Sequence, residues 1–160
     1  DAICIAVNGN YMVGDTNWHA DTLSLDYKAV KFCIYPDPLM ASDGALRVIP
    51  GSHKGGQRLH GWEGVHAVIP GEGLDASPSV GLDAGRGEML IFSSLLVHQT
   101  PGNHTLDRER RAWVIQYCRG DQYNEVTGEV YDDRPWVMSG GKIVDALRSE
   151  RPFNLGREPA

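Results

Sequence analysis

At 160 residues and a formal net charge of −6, the chain has the length of one domain and too little positive charge for nucleic acid to be its main partner. Its three cysteines, Cys4, Cys33 and Cys118, are odd in number and widely spaced, which argues against a disulfide framework and predicts buried thiols in a reducing, cytoplasmic setting. No apolar stretch has the length of a membrane span, which argues against a membrane partner, and the oligomeric state is left open.

In chain order, Asp1 is followed at once by the strand-like run Ala2-Ile3-Cys4-Ile5-Ala6-Val7, so residues 1–160 are expected to form a single domain lacking its N-terminal part. Further apolar or alternating runs cover Val30 to Tyr35, Leu46 to Ile49, Met89 to Phe92 and Ala112 to Cys118. Between them lie turn signals such as Asn8-Gly9-Asn10, Asp43-Gly44, Pro50-Gly51 and Pro101-Gly102-Asn103. The segment from Gly55 to Arg86, rich in Gly, Pro, Ser and Asp, reads as a long loop insertion. After the Gly140-Gly141 break, the apolar spacing of Lys142 to Arg148 predicts a short C-terminal helix. Many short strands without a βαβ rhythm predict a mainly β fold: a double-stranded β-helix, the cupin-like jelly roll.

Chemistry concentrates in Trp18-His19-Ala20-Asp21 and in His98, within Leu95-Leu96-Val97-His98-Gln99-Thr100-Pro101. In an extended strand His19 and Asp21 project from one face while Ala20 points to the other. A second histidine from a separate strand then makes a set of two imidazoles and one carboxylate, which suits non-haem iron(II) with open positions left over. His-x-Asp alone is weak evidence, since a polar strand edge has the same pattern.

The surroundings are more specific. Gly44-Ala45-Leu46-Arg47-Val48-Ile49-Pro50-Gly51-Ser52-His53-Lys54 resembles the central signature of the phytanoyl-CoA dioxygenase family of iron(II)- and 2-oxoglutarate-dependent oxygenases. Trp18-His19-Ala20-Asp21 upstream, then Gly87-Glu88-Met89-Leu90-Ile91-Phe92, His98 and Arg110-Arg111-Ala112-Trp113 downstream, follow in the family's order. Tyr131-Asp132-Asp133-Arg134-Pro135-Trp136 and Arg151-Pro152-Phe153-Asn154 look like the tails of bacterial members.

The resemblance implies that His19, Asp21 and His98 hold Fe(II). It implies that Arg110 pairs with the distal carboxylate of 2-oxoglutarate, with Arg111 as the alternative, because a guanidinium matches a carboxylate bidentately. In a strand the two arginines face opposite ways, so only one can serve. Thr100 matches a position where a small hydroxyl assists the same carboxylate, and it reads equally as a turn residue before Pro101. Cys33 stands near a place where relatives carry a pocket-lining aromatic, and is read as packing.

His53 is read as supporting a turn, and His60, His66 and His104 as surface or substrate-side groups. Trp18 and Trp62 are assigned to packing. The implied reaction consumes O2 and 2-oxoglutarate, with ascorbate as the reductant in vitro, to hydroxylate a small-molecule substrate and release succinate and CO2. Two other readings stand beside it: a non-catalytic metal- or ligand-binding jelly roll, and a cupin-type dioxygenase that needs no cosubstrate.

Overall fold

The computed structural model describes residues 2–11, 16–22, 29–54, 62–63, 66–68, 74–123, 128 and 136–143. Twelve strands are found among them: β1 (Ala2–Tyr11), β2 (His19–Ala20), β3 (Ala29–Ile34), β4 (Arg47–Val48), β5 (Trp62–Glu63), β6 (His66–Val68), β7 (Val80–Gly81), β8 (Met89–Ser93), β9 (His98–Gln99), β10 (Arg111–Arg119), β11 (Trp136–Ser139) and β12 (Lys142–Ile143). Short 3-10 turns at Ala41–Asp43 and Ser52–Lys54 are the helical elements among the described residues.

The strands form two antiparallel sheets, ordered β12-β11-β1-β10-β3-β8 and β5-β6-β2-β9-β4-β7. The chain passes to and fro between them: β1, β3, β8 and β10 belong to the first, and β2, β4 and β9, which alternate with them, to the second. That alternation is the winding of a double-stranded β-helix, and among the described residues the two sheets do not close into a barrel.

Alternation along β3 decides what faces inward. Ala29, Cys33 and Tyr35 are buried while Val30 is exposed, so the even positions look outward. Cys33 and Tyr35 join Leu39, Ala45, Ala84 and Ala112 in one core cluster, against which Leu90, Phe92 and Val114 pack. A second cluster, Ile49 and Val97 with Trp18 and Leu74, is built from residues of which Trp18, Ile49 and Val97 directly adjoin β2, β4 and β9. Gly44 locks the turn after Asp43 against the loop that follows β9: its φ is +88°, and a Cβ there would lie 2.5 Å from the Pro101 carbonyl oxygen.

Two regions differ from expectation. The segment from Gly55 to Arg86 supplies β5, β6 and β7, with β6 pairing with β2 and β7 with β4, so it builds both flanks of the second sheet. Strands of two or three residues are too short for period-two alternation to show. Lys142 and Ile143, the expected start of a helix, form β12 instead, in a hairpin with β11 that pairs Met138 with Ile143 and Ser139 with Lys142. Gly140 and Gly141 both have positive φ, the two-residue turn that matches strand twist, so this Gly-Gly is a hairpin turn. Residues 144–148 lie outside the described residues. No helix among the described residues is long and apolar enough to cross a membrane.

Candidate metal centre

The centre is built where β2 and β9 pair. His19 and His98 are direct antiparallel partners, so both side chains leave the same face. Their ring centroids are 4.2 Å apart, and they are 6% and 3% exposed. Each ring is fixed in the same way. His19 Nδ1 lies 2.8 Å from the carbonyl oxygen of Asn17, and His98 Nδ1 lies 2.8 Å from that of Leu96. A carbonyl can only accept, so in each neutral ring Nδ1 carries the proton and Nε2 keeps its lone pair.

Asp21 follows β2, and its backbone N–H donates to the Ser94 carbonyl at 2.9 Å. This brings its carboxylate in beside the rings, with Oδ1 4.0 Å from His98 Nε2. One ligand atom from each of His19, Asp21 and His98 lies within 4.8 Å of the other two.

The electrostatics suit metal ligation. Burial pushes the His98 imidazolium down to about 3, so the ring is neutral and ready to donate. Burial also works to raise the Asp21 carboxyl, but Lys31, His98 and His19 together outweigh it and hold the group below the usual carboxylate range. The donor set is thus two imidazole nitrogens, that of His98 neutral, and one anionic oxygen, which fits a borderline divalent cation such as iron(II).

Lys31, on β3, was not singled out from the sequence. Its ammonium donates to Asp21 Oδ1 at 2.7 Å, with the two side chains 12% and 8% exposed. A signal was present: if Cys33 faces inward on a strand, so does the residue two before it. Phe92, the partner of Lys31 on β8, stands edge-on to His98 with 5.0 Å between centroids.

The two arginines part company. Arg110 is buried, in electrostatic contact with Tyr35 and Cys33, and burial pulls its pKa below the ordinary guanidinium value. Arg111 is exposed on β10 and ion-paired with Asp37. Burial is the main cause that raises the Cys33 thiol to about 11, and Lys31, Asp21 and Arg110 all act on it, so this cysteine lies within reach of both the triad and the arginine.

Thr100 is half-buried. Its backbone is clasped to Thr16, its N–H donating to the Thr16 hydroxyl at 2.8 Å and its carbonyl accepting from the Thr16 N–H at 2.9 Å. His53 and His104 are exposed, and Trp18 packs on the Ile49 and Val97 cluster. His60 lies outside the described residues, as do the side chains of Trp62 and His66. Cys33 and Cys118 are buried free thiols.

Two antiparallel sheets wound as a jelly roll around a buried His-Asp-His cluster define the class: a jelly-roll protein with a candidate metal centre. Residues 5–112 match the phytanoyl-CoA dioxygenase (PhyH) family, and the chain belongs to it. It is similar to the dioxygenase FUM3 of Gibberella moniliformis (strain M3125 / FGSC 7600), with 27% identity over 123 residues, 76% of this chain and 34% of that protein. Among solved structures it is similar to EvdO2 of Micromonospora carbonacea var. aurantiaca complexed with 2-oxoglutarate, with a TM-score of 0.53 and 20% identity over 71% of this chain and 51% of that one. It is also similar to the epimerase SnoN in complex with Fe3+, alpha ketoglutarate and nogalamycin RO, with a TM-score of 0.60 and 16% identity over 75% of this chain and 51% of that one. The chain therefore spans about a third of the length of FUM3 and about half that of these solved structures.

Proposed function

We propose that residues 1–160 form the oxygenase domain of an iron(II)- and 2-oxoglutarate-dependent dioxygenase that hydroxylates a small-molecule metabolite. The observation that carries this reading is the convergence of His19, Asp21 and His98, with Nδ1 of each imidazole held against a backbone carbonyl so that Nε2 is the nitrogen suited to a metal. Family membership and the 2-oxoglutarate in the complexes of EvdO2 and SnoN support the choice of cosubstrate.

The three side chains would hold Fe(II), and the bound metal with its cosubstrate supplies the oxidising power for R–H + 2-oxoglutarate + O2 → R–OH + succinate + CO2. The protein's own work is positional. Asn17 and Leu96 carbonyls fix the tautomer and plane of each imidazole, a restraint that raises ligand basicity. Arg110, buried beside Tyr35 and Cys33, is the guanidinium for the distal carboxylate, since Arg111 is spent on Asp37 at the surface. Phe92 lays an apolar ring edge-on against His98, covering one side of that imidazole. Buried free thiols at Cys33 and Cys118 fit a reducing, cytoplasmic compartment.

The test is succinate release from 2-oxoglutarate by the full-length protein with Fe(II), O2 and ascorbate, against a panel of small metabolites. Turnover lost in Asp21→Ala is the expected result. Binding of metal and 2-oxoglutarate without succinate from any substrate identifies a non-catalytic jelly roll. Oxygenation that needs no 2-oxoglutarate and ignores Arg110→Ala identifies a cupin-type dioxygenase.

A further inference from the structure

The two histidines of the centre are oriented by backbone carbonyls, whereas the carboxylate of Asp21 receives a charged side chain. Lys31 sits on β3 opposite Phe92 of β8 and Gln116 of β10, in the inward row that continues through Cys33 to Tyr35. Its ammonium is 2.7 Å from Asp21 Oδ1 and 5.8 Å from the centroid of Phe92, the ring that stands against His98. A lysine with 12% of its side chain exposed costs desolvation energy and, beside a dication site, opposes metal loading. Packing alone does not account for it, because an aliphatic residue fills an inward strand position without either cost.

We propose that Lys31 is a positioning residue for metal ligation: by engaging Oδ1 of Asp21, the carboxylate oxygen 4.0 Å from His98 Nε2, it makes the two oxygens inequivalent, so that the carboxylate binds a metal through one of them only. The inference rests on the oxygenase reading above. Two imidazoles and one oxygen occupy three positions of an octahedral ion and leave three, enough for a chelating 2-oxo acid and dioxygen. A carboxylate that bound through both oxygens would take a fourth position, and chelation and dioxygen would then compete. Lys31 thus trades metal affinity for cosubstrate binding, and the two quantities should move in opposite directions when it is removed.

The test uses the full-length protein under anaerobic conditions, with cobalt(II) as a spectroscopic metal whose visible absorption weakens as coordination number rises. Lys31→Met is expected to bind cobalt(II) roughly tenfold more tightly, to show a weaker metal-alone spectrum, and to bind 2-oxoglutarate roughly tenfold more weakly once loaded. Lys31→Arg, which keeps the charged donor, should stay within about threefold of wild type in both affinities. Lys31→Gln keeps an N–H donor without the charge. It should retain the metal-alone spectrum while binding cobalt(II) more tightly, and it stands in if the methionine variant does not fold.

Wild-type values in Lys31→Met overturn the proposal. So does weakened 2-oxoglutarate binding with an unchanged metal-alone spectrum, which makes Lys31 a direct cosubstrate contact. Parallel weakening of both affinities overturns it too, by making the lysine a structural prop. Wild-type protein that takes up no cobalt(II) at all sinks the oxygenase reading itself, and the role of Lys31 falls with it.

Discussion

The first sheet contains strands of ten and nine residues, β1 and β10, whereas no described strand of the second exceeds three. Yet the second sheet, with the turn after β2, carries all three candidate metal ligands. Long ladders give the first sheet many backbone hydrogen bonds per side chain placed, so it serves as scaffold. The short strands cannot orient a ring by pairing alone, and side-chain ties finish the work: Nδ1 of His19 and His98 to carbonyls, Lys31 to Asp21, and Thr16 to Thr100. Precision at the centre comes from these ties, while rigidity comes from the neighbouring sheet.

Removing a ligand should break this contrast most completely. Asp21→Ala is expected to abolish metal uptake and turnover, and to cost about 3 kcal/mol in the metal-free protein, because it leaves the Lys31 ammonium buried beside the histidines. Anaerobic metal titration and a denaturant melt check both parts. The cosubstrate end comes next. Arg110→Ala should raise the 2-oxoglutarate requirement by roughly a hundredfold. Arg111→Ala, which removes an exposed ion pair with Asp37, should leave it unchanged and cost less than about 1 kcal/mol.

Metal loading should tie the short strands together. A metal at a hundredfold excess over its Kd should raise the melting temperature by roughly 5–10 °C, and chelation should reverse the shift, as read by differential scanning calorimetry. Gly44→Ala tests the turn that seats the loop after β9. A Cβ 2.5 Å from the Pro101 carbonyl oxygen at a φ of +88° should cost about 2 kcal/mol of stability.

The smallest effect concerns Cys33. With the folded thiol near 11, against 9.0 when free, the unfolded chain ionises first, so its contribution to stability is complete below pH 9 and is lost as pH rises toward 11. At pH 8 the thiol should resist iodoacetamide in the folded protein and react after denaturation, as followed by mass spectrometry.

Much of the centre was legible because its signals are local. His19 and Asp21 share a face through the two-residue period of a strand, and the run from Gly44 to Lys54 carried the family resemblance in a contiguous stretch. The strands within 55–86 were not legible, since two or three residues display no period and their pairing partners, His19, Ala20, Arg47 and Val48, are remote. Gly140-Gly141 is ambiguous in sequence for a related reason. A Gly pair announces a break, but whether a strand or a helix follows depends on a partner strand, here β11.

The sequence by itself determined the donor types, their spacing and the family of the chain, because side-chain chemistry and strand periodicity are properties of neighbouring residues. Tertiary structure alone decided the rest. It set His19 against His98 in register, turned Arg110 inward and Arg111 outward, and brought Lys31 from the first sheet onto Asp21 beside the second. Those outcomes depend on which face of each strand is buried when the two sheets pack, a choice made by apolar area spread over the whole fold.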